Sequence, residues 1–209
     1  MAAQAYCSAT TIKARIGITN ATDDTLLGVI AGEVNSWLEK KIGFPVGPIT
    51  SEERLFDGSV VTHGGLCLPV YPWGVRAVTA AKYRTQTGDS YTNLTTATDI
   101  FLRPQSHMRY TDWPAFEIWL SDQGTLATWP TYGFDAIGIT ATWGWAAIPS
   151  ELSSIAIRLG VAMWRRRSSG SAQMAVSEDA IAAIAAEELM SSDWRTIWDY
   201  EGLRLVGAY

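Results

Sequence analysis

The sequence predicts an α+β fold, a small helical bundle interrupted by a β-rich insertion of about six strands. Three observations predict it. Residues 8–43 and 149–201 carry apolar side chains at helical spacing. Between 50 and 142 that period disappears, and short β-branched or aromatic runs alternate with Gly, Pro and Asp. Helix start and stop residues then punctuate both helical stretches but not the middle. The organisation expected is a helical core from residues 1–48 and 148–200, a β-rich insertion at 49–147, and a C-terminal tail at 201–209.

In chain order, Ser8 is placed to cap a short helix with Ile12 and Ile16 on one face, and Gly17 to end it. Thr22 is the expected N-cap of a longer helix, with Asp23 and Asp24 at the positive end of its dipole. Leu27, Ile30, Val34, Trp37 and Leu38 form its stripe. Lys40 and Lys41 suit the negative end, and Gly43 with Pro45 stops the helix. The insertion begins with Arg54-Leu55-Phe56 before the turn signal Asp57-Gly58. Leu66–Val70, Val75–Tyr83, Ile100–Arg103, Ala115–Leu120 and Ala136–Trp143 read as further strands, with Gly88-Asp89 as another turn. Pro149 opens the clearest helix, since a proline in the first turn forfeits no hydrogen bond. Leu152, Ile155, Ala156, Leu159 and Met163 are its buried stripe, between Glu151 at one end and Arg165, Arg166 and Arg167 at the other. Ser168–Ser171 reads as a flexible break. Ser177 is placed to cap an Ala-rich helix carrying Ile181, Ile184 and Leu189. A last helix is expected over Asp193–Glu201, with Trp194, Ile197 and Trp198 inward and Gly202 as its end. Leu203–Tyr209 is then an apolar tail with an aromatic end.

The bulk numbers narrow the function. The chain has 209 residues, 47% hydrophobic and 18% charged, which suits a folded domain and excludes wholesale disorder. No apolar run reaches the roughly 18 residues of a membrane span. Met1–Thr10 has neither a basic nor an apolar leader segment, so no signal peptide is expected. The net charge of −5 opposes a general grip on nucleic acid. Cys7 and Cys67 have no ligand-like spacing and are expected to be small buried hydrophobes. Ten Trp and eight Tyr are a heavy aromatic load, of the kind that cores, protein interfaces and carbohydrate platforms use.

Four stretches together resemble the head–tail connector (adaptor) family of long-tailed phages and gene transfer agents. They are Tyr6–Ile18 (YCSATTIKARIGI), Asp23–Phe44 (DDTLLGVIAGEVNSWLEKKIGF), Leu66–Val78 (LCLPVYPWGVRAV) and Ile139–Arg167 (ITATWGWAAIPSELSSIAIRLGVAMWRRR). The last is the most specific: a Gly-aromatic-x-x-x-Pro turn into a helix that ends in basic residues. The resemblance implies a helical bundle with a strand insertion that assembles with itself into a ring, twelvefold as a rule, below the portal protein. It implies a C-terminal segment reaching the portal and other faces receiving the downstream tail connector or stopper protein. DNA would pass through the channel without sequence recognition. The site would be the head–tail junction of a virion, from a chain made in the host cytoplasm, with no membrane partner. The strand block and the Trp load are both larger than in minimal members of the family.

The residues of chemical interest support no catalytic constellation. His63 and His107 have no Asp, Glu, Cys or His at ligand spacing, and no GxSxG, GxGxxG or GxxxxGK[ST] motif occurs. No enzymatic activity, cofactor or metal is therefore expected. Arg165, Arg166 and Arg167 either complement the helix dipole or contact DNA or an acidic portal ring. Trp143 and Trp145, two apart, are expected on one strand face buried against the 150–167 helix. Trp194, Trp198, Leu203, Leu205, Val206 and Tyr209 are the candidate portal or intersubunit contacts, because a ring subunit must bury surface on both neighbours. The rival reading is an aromatic-rich carbohydrate-binding module of a tail or cell-wall protein. Its signature is a set of coplanar exposed Trp rings on the strand block.

Overall fold

A computed structural model of the chain describes residues 5–86, 88–103, 113–168 and 177–206. Its fold is α+β, with six α-helices and two antiparallel sheets among the described residues. The chain divides into two compact units, one from residues 1–46 with 148–204 and the other built on residues 47–147.

The first unit is helical. Helix α1 spans Ala9–Ile16. The Ser8 hydroxyl accepts from Thr11 N and the Thr11 hydroxyl accepts from Ser8 N, a reciprocal cap that satisfies two otherwise orphaned donors. Gly17 closes the helix at φ 76°, a left-handed conformation that costs glycine little. Helix α2 spans Asp24–Ile42 and also ends on a left-handed glycine, Gly43. Its N-cap is Asp23 rather than Thr22, and no side chain caps it. All five residues of its expected stripe are buried, and Ala31, Asn35 and Ile42 join them. Asn35 is polar, and its amide is fully used: Oδ1 accepts from Cys7 N and Nδ2 donates to Cys7 O, both at 2.9 Å. The Cys7 thiol beside it is pushed up to about 12 by burial, so it behaves as the small hydrophobe expected.

Helix α4 spans Ser150–Ser168 and buries the whole expected stripe. It therefore runs through the start of the expected break at 168–171; residues 169–171 lie outside the described residues. Gly160 lets α1 approach: a Cβ there would stand 2.6 Å from Ile12 Cδ1. Helix α5 spans Glu178–Glu188, with the Ser177 hydroxyl accepting from Ala180 N as expected. Leu189 caps its C-terminal end and is buried. Helix α6 spans Ser191–Val206. Gly202 does not end it, and the chain from 201 to 206 is helix rather than tail.

The second unit is the β-rich one. Strands β1 (Ile49–Phe56), β7 (Ile137–Trp143), β3 (Val75–Tyr83) and β4 (Thr92–Leu94) lie in that order in one sheet. Strands β2 (Cys67–Pro69), β6 (Glu117–Leu120) and β5 (Ile100–Arg103) make the other. A bridge between Val75 and Ala115 ties the two together. One core joins their inner faces, including Leu68, Val75, Ile118, Ile137, Ile139 and Trp143. The seventh strand, beyond the six expected, is β4: three residues that pair with β3 alone. The short helix α3 (Thr96–Asp99) precedes β5.

Candidate functional site

The C-terminal helix carries the first group of candidate contacts. Its inward face is Asp193, Ile197 and Tyr200, at i, i+4 and i+7. Asp193 is held from two sides: one oxygen pairs with Arg158 of α4, and the other accepts from Met190 N at 2.9 Å and caps the start of α6. The Tyr200 hydroxyl donates to Glu151 of α4 at 3.0 Å. These bonds fix α6 on α4, and they decide which of its indoles faces solvent.

Trp37 of α2 is 2% exposed, and Trp194 meets it edge-on at 6.2 Å. Trp194 in turn lies 6.2 Å from Trp198. Trp198 is 59% exposed and Met190, one further step back along the same side, is 61% exposed. The expectation that Trp194, Ile197 and Trp198 all point inward is thus corrected: Ile197 is buried, Trp194 half-buried and Trp198 outward. The three indoles form a file from the core to the surface. Leu203 is half-buried. Nothing is described of the side chains of Leu205 and Val206, and Tyr209 lies outside the described residues.

The basic run at the end of α4 is not uniform. Arg165 and Arg167 are exposed, whereas Arg166 pairs with Glu187 of α5. Arg165 and Arg166 also border a cleft that Arg167 does not reach. Sequence spacing held a signal for this: Arg158, Ala162, Arg165 and Arg166 fall at i, i+4, i+7 and i+8, one face of the helix.

The second unit places its aromatics differently. Trp143 is buried beside Phe56 at 6.0 Å, with its Nε1 donating to Glu52 O at 2.8 Å. The Arg54 guanidinium lies between the Trp73 and Trp143 rings, 4.4 and 4.9 Å from their centroids. Burial lowers the pKa of this arginine, and Glu52 opposes that shift. Trp145 is not on the strand, because β7 ends at Trp143 and Gly144 turns the chain at φ 77°. Its ring meets Trp113 at 5.7 Å and Phe116 at 6.0 Å.

Two aromatic surfaces of this unit are not marked by any local pattern in the sequence. On the outward face of the small sheet, Phe101 and Trp119 sit directly across from each other, with rings 26° from parallel and 6.4 Å apart. His63 flanks Trp119 at 5.0 Å, and Arg103 covers its ring at 4.9 Å. The second surface is the loop before β7, where Tyr132 is 78% and Phe134 73% exposed. Its backbone is stitched down: Gly58 N donates to Gly133 O, Arg84 to Phe134 O, and Tyr91 to Asp135 O. Asp57 accepts from Asp135 N at 2.8 Å. Gly58 is required there, since a Cβ would stand 2.5 Å from Tyr132 N.

Asp99 is the buried carboxylate among the described residues of the unit. Its oxygens accept from Thr95 N at 2.7 Å, Thr125 N at 3.1 Å and the Thr98 and Thr125 hydroxyls. The two backbone donors, Thr95 first, hold its pKa below the ordinary carboxylate value against the opposing effect of burial. All its partners are neutral donors, Thr95 and Thr98 at α3 and Thr125 in the 121–126 segment, so its role is to fasten that segment to α3.

His63 is in a one-turn helix, with Nδ1 3.1 Å from the Thr62 hydroxyl; His107 lies outside the described residues. Burial raises the pKa of Cys67, which is fully buried. Among the described residues no helix is long and apolar enough to cross a membrane, and no three His, Cys, Asp or Glu side chains gather as a metal site would need. No protein-family model matches the chain, and no curated protein matches it.

Proposed function

We propose that this chain is a structural head–tail adaptor, a subunit that closes a ring with copies of itself between the portal and tail of a tailed-phage-like particle. On this reading no bond is made or cut; the chain acts through surfaces, and DNA passes the central hole without sequence recognition. Support comes from the four stretches that resemble the adaptor family and from a helical unit interrupted by a β-rich one. The observation that carries the reading is Trp198, an indole 59% exposed on a helix that Asp193 and Tyr200 hold rigidly. A large apolar ring held in water on a fixed helix is what an interface anchor requires.

The rival reading, a carbohydrate-binding module, draws on Phe101 and Trp119. Arg103 and His63 crowd the Trp119 ring, which leaves little flat face for a sugar to stack on. The adaptor reading is therefore preferred.

Imaging of purified protein mixed with portal rings tests it. The expected result is ring-shaped density on the portal with the natural chain, and loss of that density with Trp198→Ser. A chain that stays solitary with portal present overturns the reading. So does fluorescence that shifts and saturates with a cell-wall polysaccharide and loses that response in Trp119→Ala.

A further inference from the structure

The cleft at the end of α4 has a volume of about 280 Å³ and is lined by Arg15, Arg158, Val161, Ala162, Arg165, Arg166 and Glu188. Four arginines, one from α1 and three from α4, line this one space. Two of them are already neutralised, Arg158 by Asp193 and Arg166 by Glu187. Arg15 and Arg165 have no ion pair among the described residues, and both are exposed. The cleft thus presents two planar forks that no described carboxylate holds, beside two that carboxylates hold in place. A guanidinium fork matches an oxyanion in a bidentate manner, and pairs so formed are the stronger charge-assisted kind.

We propose that this cleft binds an acidic segment of a protein partner, with an Asp or Glu carboxylate seated between Arg15 and Arg165. Three features choose a peptide acid over a nucleic acid. The volume suits one or two side chains, at or below the small end of ordinary ligand pockets. Val161 and Ala162 offer an apolar wall to the methylene stem of an acidic side chain, or to an apolar neighbour in the segment. Glu188 also lines the cleft, so each added anion meets a like charge there, and the chain as a whole carries a net charge of −5. Duplex DNA sets down a charge about every 1.7 Å and so forces further phosphates onto that acidic surround. A short segment with one or two carboxylates sets far fewer charges against Glu188, with Arg15 and Arg165 to offset them, and beyond about 10 Å salt near 0.1 M screens the rest of the chain. The inference goes beyond the adaptor reading and does not depend on it, because every residue used belongs to the helical unit.

The test is fluorescence anisotropy at about 0.1 M salt, using the full chain and a labelled peptide with a Leu-Glu-Asp-Leu centre. Saturable binding is expected. It should disappear for the Leu-Gln-Asn-Leu counterpart and weaken about tenfold or more in the double variant R15Q/R165Q, as the loss of charge-assisted pairs requires. Both substituted side chains are exposed on helix surfaces, so circular dichroism should match the natural chain. R167Q removes the same kind of charge outside the cleft and should leave binding unchanged. The inference fails if the uncharged peptide binds as well, if R15Q/R165Q binds normally, or if R167Q loses as much. It fails equally if short single-stranded DNA displaces the peptide and itself needs Arg15 and Arg165, which would make the cleft a nucleic-acid site.

Discussion

The helical unit and the β-rich unit are held together by different kinds of contact. In the first, the ends of elements are fixed within a few residues, Ser8 with Thr11, Gly17 with Lys13, Ser177 with Ala180, and longer bonds such as Arg158 to Asp193 and Tyr200 to Glu151 then join one helix to another. In the second, the decisive bonds reach far along the chain. Trp143 to Glu52 spans 91 residues, Asp135 to Asp57 spans 78, and Thr125 to Asp99 spans 26. Local contacts form at little loop-closure cost, while distant ones are made late and only together. The difference extends to the exposed aromatics. Trp198 rides on a helix, whereas Tyr132 and Phe134 ride on a loop that needs four separate anchors. The helical unit thus presents a candidate contact on a regular element, and the β-rich unit must organise distant loops to present one.

The strongest challenge to this contrast is a substitution of a large buried side chain in the helical unit. Trp37 fills the centre of that unit, 2% exposed, and supports Trp194. Trp37→Ala should cost about 4 kcal/mol, the scale found for buried Trp or Phe truncations. Urea unfolding followed by helical amide exchange measures it. A loss under about 1 kcal/mol would mean that caps and local pairs carry the unit and that its core is dispensable. The same variant should also mobilise Trp198, because Trp194 stands between the two rings.

How far the fold could be read from the sequence follows the same division. The stripes of α2 and α4, and the caps at Ser8, Gly17, Gly43 and Ser177, are local and were legible. Strand β4 was not: Thr92–Leu94 is too short to show alternation, and it exists because β3 offers an edge. Gly202 has the residue type of a helix stop, yet its backbone is not left-handed and nothing crowds it, so the helix simply continues. The outward turn of Trp198 is hidden in the sequence because the polar Asp193 takes an inward place, which its bonds to Arg158 of α4 and to Met190 N make possible. The arginine cleft was half visible: Arg165 and Arg166 stood out as a run, while Arg15 joins through the packing of α1 on α4.

Acid should separate the two units next. Asp99 binds its proton less readily in the folded chain than in the unfolded one. Its stabilisation is therefore complete above the unfolded carboxylate pKa, about 3.9, and drains away as the pH falls through the lower folded value. Exchange of the Ser121 and Thr125 amides, which bond to Asp99, should quicken as the pH drops below about 4 relative to a helical reference such as Gly17. In Asp99→Asn one carboxylate oxygen becomes an amide that faces a backbone or hydroxyl donor, so the segment should be loose already at neutral pH. The acid-dependent step should then vanish. A step that survives in the variant would assign the acid response to another carboxylate.

The smallest effect is expected where the contrast is sharpest, at a single local cap. Ser177→Ala removes the hydroxyl that accepts from Ala180 N and leaves that donor at the start of α5 to water. The cost should be about 1 kcal/mol, the usual value for an N-cap serine. It should appear as faster exchange in the first turn of α5 and as a small shift of the urea midpoint with unchanged slope. Ser177→Asp should restore the loss, since its carboxylate caps equally well and also meets the positive end of the helix dipole. Because α5 carries Glu187, the partner of Arg166, fraying at its first turn leaves the arginine cleft intact, and the acidic peptide should bind the Ser177→Ala chain as before. If peptide binding falls with the cap, the helical unit is cooperative from end to end, and the distinction between local and distant construction fails in the unit where it looks clearest.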